Sequence, residues 1–213
     1  MTTWILLRAA GVGSYIALWL AVDWGLIATT SLVTKRVSKP TSTLFHGVVA
    51  SAGLALLVIH LGGLLIDRFM PFSASDLLIP MRASYRTLAV SFGVLAMYAM
   101  VVILVSSWIR KRLSTKVWRG IHLLAIPTFT LALAHGVFAG SDSSRPWMFA
   151  IYVVTGLLTV FLVIVRGLTY GYRPPRAERP VKPADAAGSP SPSPDGGAGK
   201  DRQISRHEAV RTP

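Results

Sequence analysis

The sequence predicts an all-α integral membrane protein, a bundle of five transmembrane helices followed by a disordered C-terminal tail. Three observations carry that reading. The chain has 213 residues, of which 52% are hydrophobic, with a mean hydropathy of +0.53. Most of this apolar content falls in a few long blocks, each long enough for a hydrocarbon core about 30 Å thick. Loops rich in Lys and Arg separate the blocks, and the blocks stop near Arg173.

The first span runs from about Ala9 to about Val33. It lacks the basic start and small-residue cleavage site of a signal peptide, so it is expected to stay in the mature protein. Asp23 lies within it. A carboxyl there could move protons or pair with a basic group, but a hydrogen bond to a neighbouring helix is the simpler reading. Gly11-Val12-Gly13 lacks the third glycine of a dinucleotide fingerprint and lies in an apolar helix, where small residues let helices approach closely.

Lys35, Arg36 and Lys39 form a basic loop. The second span, Thr41 to Ile66, is uncharged and carries His46 and His60 with four scattered glycines. A loop of mixed sign, from Asp67 to Arg86, leads to the third span, Thr87 to Ile109, which has neither histidine nor charge. Arg110, Lys111, Arg112, Lys116 and Arg119 follow with no acid among them. The fourth span, about Val117 to Gly140, carries His122 and His135. A loop with Asp142 and Arg145 precedes the fifth, Trp147 to about Val165. Trp4, Trp108, Trp118 and Trp147 fall near span ends, as an aromatic belt requires.

The last 40 residues hold 8 of the 13 prolines with Ser-Pro steps and a Gly-rich patch, which is the composition of a disordered tail. The expected organisation is thus 1–40, a first span and basic loop; 41–170, a four-helix membrane domain; and 171–213, the tail. Basic residues concentrate in the first and third loops and the tail. The positive-inside rule then puts the N-terminus outside and the tail in the cytoplasm. The same rule accounts for the net charge of +13 without nucleic acid as a partner; the partner surface is the lipid bilayer.

With that topology the second and fourth spans run parallel. His46 and His122 share a depth near the cytoplasmic face, and His60 and His135 share one near the outer face. Polar side chains at such depths are costly and mark sites. Neutral imidazole is a common metal ligand and a standard axial ligand of haem iron. The absence of cysteine excludes disulfides, Cys-ligated iron–sulfur clusters and C-x-x-C-H haem attachment. The four histidines therefore point to two b-type haems, with pairs His46/His122 and His60/His135 as iron ligands. On an ideal helix His46 and His60 lie about 21 Å apart and about 40° apart in azimuth. His122 and His135 would be about 140° out of line. Pro127 lies between them, so an irregular backbone is expected there.

The pattern His46-x13-His60 and His122-x12-His135, with Trp118-Arg119-Gly120-Ile121-His122 leading into the second pair, resembles the ferric reductase-like transmembrane domain over roughly residues 41–165. That superfamily includes ferric reductases, NADPH oxidases and the haem-binding subunit of bacterial methionine sulfoxide reductase systems. The resemblance implies one-electron transfer through two haems, from a cytoplasmic-side donor to an outer-side acceptor, in a bacterial plasma membrane. Many members have a sixth span, where five are countable here. Electron-donating members often carry a C-terminal flavin and nicotinamide domain. Its place here is taken by the short tail, so the expected donor is a separate flavoprotein, a quinol or a loosely bound flavin. The protein would then be an oxidoreductase component without its own nicotinamide domain.

Arg119, with Lys116, is placed to pair with propionates of the inner haem, and Arg86, with Arg82 and Arg68, with those of the outer one; interfacial anchoring is the competing role for each. Phe129 lies midway between His122 and His135, either between the haems or simply in the packing. Two other functions remain open: a quinone-linked cytochrome b, and a non-redox membrane protein with structural histidines.

Overall fold

The computed structural model describes residues 2–28, 36–68 and 71–169. The sequence-derived tail, with His207, and Lys35 of the first basic loop lie outside the described residues. Those described are all-helical apart from turns, and five helices are long and apolar enough to cross a membrane. The protein is an integral membrane protein.

Helix α1 spans Thr2–Ile27 and α2 spans Lys39–Ile66. Ser38 caps α2 by accepting from the Thr41 amide, and Pro40 sits in the first turn, where its missing N–H costs nothing. The two helices form an antiparallel hairpin built on small residues. A Cβ on Gly53 would lie 3.1 Å from Ala17 Cβ, and one on Gly63 would lie 2.9 Å from Leu7 Cβ. Ser14 Oγ donates to the Gly53 carbonyl at 2.9 Å. Without a hydrophobic force between helices in lipid, close approach and buried hydrogen bonds supply the association.

A short helix, α3 (Ala74–Leu78), interrupts the second loop. Ser73 and Asp76 form its capping box, and the Ser73 hydroxyl and amide hold the Asp76 carboxyl below its ordinary pKa. Met81 and Arg86 adopt left-handed backbone before α4, Thr87–Trp108. The Met81 amide is satisfied by Ser91 Oγ at 2.7 Å.

A 3₁₀ turn over Arg110–Arg112 leads to the fourth span, which is two helices. Helix α5 covers Thr115–His122 and α6 covers Ala125–Ala139. The expected irregular backbone is present, centred on Leu123 and Leu124. Pro127 has no N–H to give the Leu123 carbonyl. That carbonyl takes the Ile126 amide instead at 3.2 Å, and Leu124 N–H bonds Ile121 O at 3.0 Å, both with 3₁₀ spacing. Helix α7, Pro146–Thr169, completes the bundle.

Helix α1 is the scaffold. It packs along α2 and also touches α6 and α7, while α4 packs along α6. The histidine-bearing α2 and α5–α6 are not among the closely packed pairs. The core joins Tyr15 and Val22 of α1 to Phe129 of α6 and to Met148 and Tyr152 of α7. Phe129 is packing here, stacked on Tyr15 at 5.8 Å. Asp23 is buried and accepts from Thr159 Oγ1 at 2.8 Å, the helix-to-helix bond that was the simpler reading.

Gly53→Leu should separate α1 from α2. Overpacking of this kind costs about 1–3 kcal/mol. The expected outcome is a melting temperature several degrees lower in detergent, measured by circular dichroism, with Gly47→Leu, in open space, unchanged.

Candidate cofactor site

The hairpin register brings histidines of α2 against glycines of α1. His60 lies against Gly11, where a Cβ would fall 2.9 Å from its Nδ1. The ring can therefore sit on the backbone of α1, and His60 Nδ1–H donates to the Leu7 carbonyl at 2.8 Å. Across the bundle α4 and α6 repeat the device. A Cβ on Gly93 would fall 2.7 Å from His135 Nδ1, and that nitrogen donates to the Ala89 carbonyl at 2.8 Å. In both cases the acceptor stands one turn before the glycine. At the other end of α2, His46 lies 3.8 Å from where a Gly25 Cβ would be, and its buried Nδ1 makes no hydrogen bond among the described residues.

A carbonyl can only accept, so each of these bonds fixes the proton on Nδ1 and leaves Nε2 with its lone pair free. Burial in an apolar bundle also favours neutral imidazole. These are the requirements of a metal-ligating histidine, whose other nitrogen ordinarily donates to a carbonyl or carboxylate.

The structure brings the four histidines together in twos. The rings of His46 and His122 lie 5.9 Å apart, centroid to centroid, inclined at 60°. His60 and His135 line one cavity between α1, α2, α4 and α6. The same cavity is lined by Gly11, Gly93, Thr128 and Met148, so it is largely apolar, with Arg8 and Asp142 as its charged residues. Arg8 pairs with Asp142, tying the start of α1 to the loop before α7, and its guanidinium lies 5.7 Å from the Trp4 ring.

The arginines singled out from sequence lie elsewhere. Arg86 is exposed, donates to the Phe138 carbonyl at 2.6 Å and lies 5.4 Å from the Tyr85 ring, outside the cavity lining. Arg119, Lys116, Arg82 and Arg68 are also exposed. Arg8 was missed because it stands before the expected start of the first span. Gly93 was missed because nothing in an apolar helix marks one glycine as facing a ring on another helix.

A family model described as ferric reductase like transmembrane component matches residues 10–133. The chain belongs to that family. Neither a curated protein nor a solved structure matches it. The family match includes His46, His60 and His122 and stops two residues short of His135. It begins inside α1, earlier than the resemblance read from residue 41. Within the matched part of α1, Gly11 lies against His60 and Gly25 against His46.

The Arg8–Asp142 pair is partly exposed, so it should contribute no more than ~1 kcal/mol. Arg8→Asp and Asp142→Arg should each lower the melting temperature, and the double reversal should recover part of that loss in a double-mutant cycle.

Proposed function

We propose that the protein is a membrane cytochrome b that passes electrons through two bis-histidine haems. His46 and His122 hold one near the cytoplasmic face, and His60 and His135 hold the other near the outer face. Family membership makes a membrane electron-transfer component the function class. Two observations support the finer reading: the His46 and His122 rings stand 5.9 Å apart, and His60 and His135, which line one cavity, each turn Nδ1 to a backbone carbonyl and leave Nε2 free.

The residues fit the group. Metal–imidazole bonds are about 2 Å long, so two axial imidazoles on one metal have centroids about 6 Å apart. The 5.9 Å between His46 and His122 suits that arrangement. Gly11 and Gly93 clear the space in which the other two rings lie flat on neighbouring helices. Bound there, haem supplies a one-electron iron couple. The chain does the rest. With His46 and His122 holding one iron and His60 and His135 the other, no ligand position would be left for substrate, which favours electron transfer over oxygen chemistry. The Leu7 and Ala89 carbonyls orient the outer ligands and hold the proton on Nδ1. Arg8 supplies a cation at the outer cavity, suited to a carboxylate group of the macrocycle. The donor is a cytoplasmic-side flavoprotein or quinol, and the acceptor lies outside.

A reduced-minus-oxidised optical spectrum with haem quantified per chain tests this. Two b-type haems are expected. His60→Ala should leave one, and so should Gly93→Ala, whose new Cβ displaces His135. No haem in a well-folded preparation made under haem-sufficient conditions would overturn the reading, and one haem in the unmodified protein would overturn the two-centre arrangement.

A further inference from the structure

The four histidines are not held alike. His60 and His135 each donate from Nδ1 to a carbonyl one turn before a glycine. The buried Nδ1 atoms of His46 and His122 have no hydrogen-bond partner among the described residues, and while His46 still lies beside a glycine, Gly25, His122 has none against it. The sequence of α4 explains the difference. The interval from His135 back to His122 is 13 residues. Since α4 runs antiparallel to α6, the same interval carried forward from Ala89 and Gly93 reaches Val102 and Ser106. A buried serine, bonded to the Ile103 carbonyl at 2.8 Å, stands where the device needs a glycine.

His122 has a different support. Trp118, one turn earlier on α5, stacks on it with centroids 4.9 Å apart and planes 25° apart. The Arg110 guanidinium carbon lies 4.2 Å from the Trp118 ring centroid. Arg110, Trp118, His122 and His46 thus form a continuous series from the basic loop to the histidine pair.

We propose that Trp118 and Arg110 are positioning residues of the His46/His122 centre: Trp118 sets the ring plane of His122, and Arg110 biases the centre toward its reduced form. The inference rests on the two-haem reading. An imidazole without a carbonyl partner can turn about its bond to the metal, and a stacked indole restricts that turn. Reduction adds one electron and removes one positive charge, which a nearby guanidinium favours, the more so in a low-dielectric surrounding. At the other centre both ligands donate to carbonyls, which raises their basicity and favours the oxidised iron. The His46/His122 centre therefore has the higher midpoint potential of the two.

The test uses the full-length protein with both haems bound. Ferric low-spin electron paramagnetic resonance reports the relative orientation of axial ring planes, and a potentiometric titration reports each midpoint. His60→Ala identifies which signal belongs to which centre. Trp118→Leu should shift the ferric signal of the His46/His122 centre and leave the other unmoved, while Trp118→Phe keeps the original signal. Arg110→Gln should lower the midpoint of that centre alone. With both haems retained, an unmoved signal in Trp118→Leu overturns the inference. So does an equal shift in Trp118→Phe, or an unchanged midpoint in Arg110→Gln; the two-haem reading survives each of these. An unmodified protein without haem overturns both.

Discussion

The bond from a histidine Nδ1 to a backbone carbonyl of the neighbouring helix is the constraint on which the rest of the bundle depends. Helical carbonyls are already committed to their own helix, and side chains normally shield them from a second helix. A glycine one turn later opens that shield, because the side chain of residue i+4 would cover the carbonyl of residue i. Leu7 with Gly11 and Ala89 with Gly93 satisfy this rule. A carbonyl has two lone pairs, so it accepts the imidazole proton while keeping its helical bond. A polar ring is thereby satisfied inside a membrane without a charged partner, and its second nitrogen stays available.

This requirement fixes the packing. The rings of α2 reach the α1 backbone only if the two helices approach closely, which Gly53 against Ala17 and Gly63 against Leu7 permit. Helix α1 then presents two chemically different faces. Its small-residue face receives α2 and the imidazoles. Its polar face meets α7, where Tyr15 bonds Thr155 at 2.5 Å and Asp23 bonds Thr159 at 2.8 Å. The Tyr15 hydroxyl and the Asp23 carboxyl thus join α1 to α7, while the Ser14 hydroxyl joins it to α2 on the histidine face.

The spans, the parallel run of the two histidine helices and the nearness of His46 to His122 and of His60 to His135 were legible from hydropathy, loop charge and spacing, since each is a property of the chain read in one dimension. The break in the fourth span was legible because the azimuth of His122 and His135 could not be reconciled with a straight helix. Its location was not. Pro127 removes the donor for the carbonyl four residues earlier, so the distortion falls at Leu123 and Leu124, one turn before the proline. Gly93 and Arg8 were not legible, since each matters through a partner far away in sequence, His135 and Asp142. Arg86 shows the opposite case: its position in the chain suits a loop cation near His60 and His135, while its left-handed backbone and its bond to Phe138 go with a place outside the cavity lining.

The two ends of the bundle consequently differ in the kind of order they impose. The His60/His135 end is fixed by hydrogen bonds to helices that are themselves continuous through the contact. The His46/His122 end has no such bond on either ring among the described residues, and His122 stands at the end of a short helix, α5. A helix terminus frays more readily than a helix interior, and its last carbonyls lack intrahelical donors. Stacking against Trp118 compensates in part, since an i to i+4 pair on one face needs only that single turn to persist. The His60/His135 end is thus tied into the body of the bundle, whereas His122 rests on Trp118 and, through it, on Arg110 of the basic turn.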